Sequence, residues 1–131
     1  MIKTSKKKIS LILEDLKVKE SSYIIVHSRS FMFGKIEGGI KTLYNSLKSV
    51  IGRNNTLIYP SFTYSYRRKQ VFDVLKTPCA NQIGLLSEFA RKDALSYRND
   101  DPLFSFVANG FDKHIIERKS KSCFGVNSIY D

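Results

Sequence analysis

Between Ile40 and Ile51 the apolar residues Ile40, Leu43, Tyr44, Leu47, Val50 and Ile51 recur at i, i+3, i+4, i+7, i+10 and i+11, the period of a helix with one face turned to a core. Gly52 stops the pattern. A short β-branched and aromatic run stands on each side, "SYIIVHS" before the helix and "NNTLIYPSF" after it, with Pro60 marking the end of the second because proline cannot donate to a central ladder. This succession predicts an α/β arrangement with largely parallel pairing, its first run, "SYIIVHS", suiting a buried strand.

The rest of the chain extends the alternation. Ile9, Ile12, Leu13 and Leu16 predict an amphipathic surface helix over about residues 5–17. Leu85, Leu86, Phe89 and Ala90 give an apolar face to a helix over about 81–91, entered through a turn at Thr77-Pro78. "PLFSFVANG" is a third strand ending at Gly110, "FDKHIIERK" a short surface helix carrying His114, and the last twelve residues read as loop. Thr63 to Lys76 is polar, basic and aromatic without periodicity, a loop long enough to have a functional role. With 131 residues and 42% hydrophobic content, one core over residues 1–131 is expected, a mixed, largely parallel sheet flanked by helices.

The net charge of +10, from 22 Lys and Arg against 12 Asp and Glu, favours a polyanionic or phosphate-bearing partner. No apolar run approaches the roughly 20 residues of a membrane span, and the basic N-terminus lacks a leader-like apolar core, so no membrane partner and a cytoplasmic location are expected. Cys79 and Cys123 have no metal-ligand spacing, so free thiols and no bound metal are expected.

Three stretches carry candidate chemistry. The "VHSRS" loop follows a strand end, where open α/β sheets bind ligands, and offers an imidazole, hydroxyls and a guanidinium from His27, Ser28, Arg29 and Ser30. Its plainer reading is a turn whose serines satisfy the backbone. Tyr64 and Tyr66 beside Arg67, Arg68 and Lys69 suit stacking and charge neutralisation in a small single-stranded nucleic-acid-binding domain, although the chain has no nucleic-acid-binding signature. Cys79 with His27 allows a cysteine-based acyltransferase, in which an activated thiol carries the acyl group. Gly38-Gly39 opens the central helix without forming a GxGxxG or P-loop motif.

Taken in order, these blocks resemble the aminoglycoside 3-N-acetyltransferase family, also called antibiotic N-acetyltransferases, over nearly the whole chain. "DLKVKESSYIIVHSRSFMFGKIEGGIKTLYNSLKSVIGRNNTLIYPSFTYSY" looks like the family's opening, with its His-Ser-Ser strand end, Gly-Gly pair and Pro-x-Phe-Thr strand exit. "FDVLKTPCANQIGLLSEFARK" resembles the Thr-Pro-Ser and Gly-x-Leu-x-Glu block, "YRNDDPLFSFVANG" the Arg-Ser-x-His-Pro-x-x-Ser stretch, and "CFGVNSIYD" the Phe-Gly-x-x-Ser-Pro stretch. Arg29, Cys79, Asp101 and Ile129 depart from those patterns, which suits a divergent member acting on another aminosugar.

The resemblance implies acetyl transfer from acetyl-CoA, as cosubstrate, to an amino group of an aminosugar on a small molecule or polysaccharide precursor, with no nucleic-acid partner. It implies that His27, Ser28, Arg29, Ser30 and Ser105 line the CoA path and that Tyr64 and Asp73 meet the acceptor. A protonated amine needs a general base near neutral pH. Neither His27 nor His114 matches the family's base, so the catalytic residues are expected beyond Asp131 and the chain is expected to be an incomplete, N-terminal portion.

Overall fold

The computed structural model describes residues 3–66, 69–117 and 119–131, and their side chains except that of Phe31. The chain opens with strand β1 (Lys3–Thr4) and helix α1 (Lys6–Asp15), whose first turn is capped by the Ser5 hydroxyl accepting from the Lys8 N–H at 3.3 Å. Strand β2 (Tyr23–Ile25), strand β3 (Lys35–Ile36), helix α2 (Gly39–Val50) and strand β4 (Thr56–Pro60) follow. The second half supplies helix α3 (Leu85–Arg91), strand β5 (Tyr97–Arg98) and strand β6 (Phe106–Gly110).

β4 is buried along its whole length and centres a four-stranded sheet of order β2-β4-β6-β5. Its side chains alternate between two cores, as the two-residue period of a strand requires. Leu57 and Tyr59 meet Leu43, Tyr44 and Leu47 of α2, Leu86 and Ala90 of α3, and Val107. Ile58 faces the other way, toward Phe106, Ala108 and Ile116, with Phe62, Tyr97 and Ile129 at the margin. α1 joins the first core through Ile9. Burial of one such aliphatic side chain contributes about 2 kcal/mol, so the helical face of the sheet holds most of the stabilising area.

The α/β class with a mixed sheet is as the sequence predicts, and helices α1 and α2 fall where their periodicity places them. The parallel share is smaller than expected. β2 runs parallel to β4, pairing Tyr23 with Thr56 and Ile25 with Ile58, but β6 runs antiparallel to both β4 and β5. The return after β4 passes through the loop and α3 and enters β6 from the opposite end. β1 and β3 form a separate parallel pair.

Other expectations change for local reasons. β2 is an edge strand rather than a buried one: its far side has no partner among the described residues, and Tyr23 and Ile25 remain 47% and 59% exposed. The helix expected over 81–91 divides at Gly84, whose φ of +94° interrupts helical geometry, leaving a 3-10 turn at Asn81–Ile83 and placing Leu85 in solvent. The stretch after β6 is one 3-10 turn, Lys113–Ile116, with the His114 ring 4.5 Å from that of Tyr97; Arg118 lies outside the described residues. Gly110 has φ +139°, and a Cβ there would stand 2.3 Å from the Asn55 carbonyl oxygen, so this strand end admits only glycine.

Candidate functional site

Because β2 and β4 are parallel, their carboxyl ends leave the sheet on one side, and the connections that follow them border a shared cleft of about 850 Å³. The first wall is the loop His27–Ser30, anchored where the Val26 N–H donates to the Ile58 carbonyl at 2.8 Å. His27 and Arg29 are exposed on it, and Ser28 and Ser30 half-buried. The second wall is the exit of β4, where Pro60, Phe62 and Tyr64 reach the cleft. The third is the segment Asn81 to Leu85. Gly84 brings the third wall against the first: a Cβ at this position would lie 3.7 Å from the Ser28 carbonyl oxygen.

This arrangement joins a guanidinium, hydroxyls and carboxamides to the apolar surfaces of Phe62, Ile83 and Leu85. An extended ligand with an anionic end, internal amides and a slender apolar arm fits such a groove.

A second recess of about 510 Å³ includes Thr63, Tyr66, Asp73, Lys76 and Thr77 in its lining. Asp73 organises this wall itself. Its Oδ1 accepts from the N–H groups of Leu75 at 2.8 Å and Lys76 at 3.0 Å, and its own N–H donates to Thr77 Oγ1 at 2.9 Å. The backbone hydrogen bonds from Lys76 and Leu75 hold the carboxyl below the ordinary carboxylate range, so it stays anionic and suits an ammonium-bearing ligand.

The segment from Ser61 to Tyr64 divides the two hollows by alternation: Phe62 and Tyr64 face the cleft, while Ser61 and Thr63 turn toward the buried side chain of Arg98. Arg98 as a whole is 7% exposed. Its Nε donates to Ser105 Oγ at 3.0 Å and Ser61 Oγ at 3.2 Å, and its terminal nitrogens donate to the Ser61 carbonyl at 2.8 Å, Thr63 Oγ1 at 3.1 Å and the Thr77 carbonyl. The Phe72 ring centroid lies 4.8 Å from the guanidinium carbon. Burial lowers the pKa of Arg98, but a guanidinium keeps its proton at any pH a protein survives.

The structure therefore gathers His27, Ser28, Arg29, Ser30 and Tyr64 around one cleft and separates from them two residues assigned by resemblance. Ser105 is fully buried and donates its hydroxyl to the Ser61 carbonyl at 2.9 Å, which places it beneath the cleft wall. Asp73 lies in the second recess, away from Tyr64.

Sequence reasoning missed Arg98, Glu88 and the Asn81–Leu85 wall. Glu88 and Arg91 carry the i, i+3 charge spacing that could have announced their salt bridge of 2.6 Å. No local signal announces Arg98, whose partners lie 7 to 37 residues away.

Cys79 is buried and lies outside the cleft lining, with its N–H donating to Glu88 Oε2 at 3.0 Å. Burial pushes its thiol up to about 12 against the lowering effect of Arg98, so at neutral pH it is a protonated thiol and a poor nucleophile. The basic loop considered for nucleic acid includes Arg67 and Arg68, which lie outside the described residues. Among the described residues there is no metal-ligating group of three or more His, Cys, Asp or Glu side chains, and no helix long and apolar enough to cross a membrane.

The sequence pattern of the aminoglycoside 3-N-acetyltransferases matches residues 25–131, whereas no curated protein matches the chain. Among solved structures, the YokD protein from Bacillus subtilis is similar at a TM-score of 0.86 and 22% identity, over 96% of this chain and 58% of its own. AAC-IIIb in binary complex with CoASH is similar at a TM-score of 0.83 and 19% identity, over 98% of this chain and 55% of its own. AAC-VIa bound to sisomicin is similar at a TM-score of 0.83 and 20% identity, with the same coverage of 98% and 55%. The chain thus spans little more than half the length of these proteins.

Proposed function

Because the chain belongs to the aminoglycoside 3-N-acetyltransferase family, we propose that its cleft holds acetyl-CoA for transfer of the acetyl group to an amino group of an aminosugar. The observation that carries this reading is the convergence of the His27–Ser30 loop and the Pro60–Tyr64 exit at the carboxyl ends of two parallel strands. The similar AAC-IIIb has been solved with CoASH and the similar AAC-VIa with sisomicin, which supports CoA and an aminoglycoside as the pair of substrates.

Each wall has a role in this reading. Arg29 takes a phosphate, and Ser28, Ser30 and the carboxamides of Asn81 and Gln82 bind the pantetheine amides, while Phe62 and Leu85 cover its carbon chain. His27 positions the cosubstrate at the rim. The second recess, with the anionic Asp73 and the Tyr66 ring, takes the ammonium-rich acceptor. The amine must lose a proton before it attacks the thioester carbon, and the thiol of CoA leaves as the new amide forms. To the residues of the cleft and the recess we assign holding and positioning roles.

Calorimetric titration of the chain with CoA tests the reading. Saturable binding that is weakened by substitution at Ser28 or Arg29 is expected, whereas no binding, or binding indifferent to both, would overturn it.

A further inference from the structure

Among the described residues, the buried Arg98 has no carboxylate partner in its hydrogen-bond shell. All its partners among the described residues are neutral oxygens, and they come from three segments: Ser61 and Thr63, the Val74 and Thr77 carbonyls, and Ser105. Ser105 braces the first group, since its hydroxyl lies 2.9 Å from Ser61 Oγ and donates to the Ser61 carbonyl. The same strand exit presents Phe62 and Tyr64 to the cleft, and the turn ending at Thr77 is the one that Asp73 organises for the recess. A planar fork fixed at both ends transmits displacement better than a flexible ammonium, because its donors cannot reorient independently.

We propose that Arg98 is a positioning residue that couples the two hollows, so that a ligand ordering the Phe62–Tyr64 wall of the cleft also orders the Asp73–Thr77 wall of the recess. The inference rests on the cleft being a CoA site and adds a dependence that the site alone does not require. It makes acceptor binding favourable after the cosubstrate is seated, through a contiguous hydrogen-bonded network that crosses at Arg98, beside the Ala80 N–H bond to the Phe62 carbonyl that lies beyond the Thr77 turn. Ser105 acts through Arg98, without touching either ligand.

Hydrogen exchange of the whole chain, with and without saturating CoA, tests the coupling. CoA is expected to slow exchange at Leu75, Lys76 and Thr77, which do not touch the cleft opening, by about fivefold or more, the lower end of ordinary coupling between sites. In Arg98→Lys, which keeps the charge and loses the fork, CoA still protects residues 27–30 and 60–64 while the effect on 75–77 disappears. Ser105→Ala, a smaller change, reduces that effect by about twofold or more and decides the matter should Arg98→Lys fail to fold. Protection confined to the cleft walls in the unsubstituted chain overturns the coupling and leaves the CoA reading standing. The same holds for protection of 75–77 that persists undiminished in the folded variants. Absence of CoA protection anywhere overturns both.

Discussion

Tyr44 donates its hydroxyl to Asp93 Oδ2 at 2.6 Å, tying the middle of α2 to the turn that follows α3. Lys48 reaches the same oxygen at 2.8 Å, and the Leu95 N–H donates to Oδ1 at 2.9 Å. Partial burial alone would raise the Asp93 carboxyl, but the Lys48 and Tyr44 hydrogen bonds and the Leu95 N–H outweigh it and hold the group at about 2.

A carboxyl depressed in the folded state stabilises fully above its ordinary value of 3.8 and loses that contribution as pH falls through about 2. Asp93→Asn is therefore expected to cost on the order of 2 kcal/mol at pH 7 and to lose less further stability between pH 4 and pH 2 than the unsubstituted chain. Glu88, also held at about 2, titrates in the same window, so the difference between the two proteins isolates Asp93. Urea midpoints at several pH values measure it, and parallel pH curves would show that the Asp93 knot contributes nothing to acid stability.

Gly110→Ala is expected to destabilise the fold by about 3 kcal/mol or more, combining backbone strain with a clash against the Asn55 carbonyl at the end of the central ladder. Gly125→Ala serves as the contrast: its φ is also positive, at +97°, but an added Cβ meets nothing within 4 Å. Thermal melts of the two variants separate the clash from the strain they share, and equal losses would remove the steric part of the account.

Cys79 is expected to resist iodoacetamide at pH 8 in the folded chain and to react only on unfolding, because its thiol is buried and held up at about 12. Cys79→Ala is expected to leave CoA affinity within about twofold while costing roughly 1 kcal/mol of packing. Rapid alkylation in the native state, or an acyl group recovered on Cys79 after incubation with acetyl-CoA, would revive the cysteine mechanism.

Arg29→Ala is expected to weaken CoA binding about tenfold, the loss of one charge-assisted contact, and to flatten the dependence of affinity on salt. Asp73→Asn preserves the Oδ1 that accepts from Leu75 and Lys76 and removes the charge. It is expected to leave CoA binding within about twofold and to weaken sisomicin binding about tenfold. Titrations with each ligand check the pair; the reverse pattern would exchange the roles of the two hollows.

The elements legible in the sequence are those whose stability is decided within a dozen residues. α2 shows its apolar stripe, β4 its β-branched run closed by Pro60, and β6 its end at Gly110. Their order also carried the family resemblance, and with it the loop His27–Ser30 as a place to look. Two-residue ladders such as β1, β3 and β5 are too short for any period to register, and each exists because a partner strand satisfies its backbone. Tertiary structure alone decided which face of each strand met a helix, that β2 stands exposed at the edge, and that β6 runs against β4. It also placed Ser105 in a buried contact with Arg98, whose partners span three segments of the chain. A buried guanidinium must find acceptors wherever the fold brings them, and their sequence separation leaves no local trace.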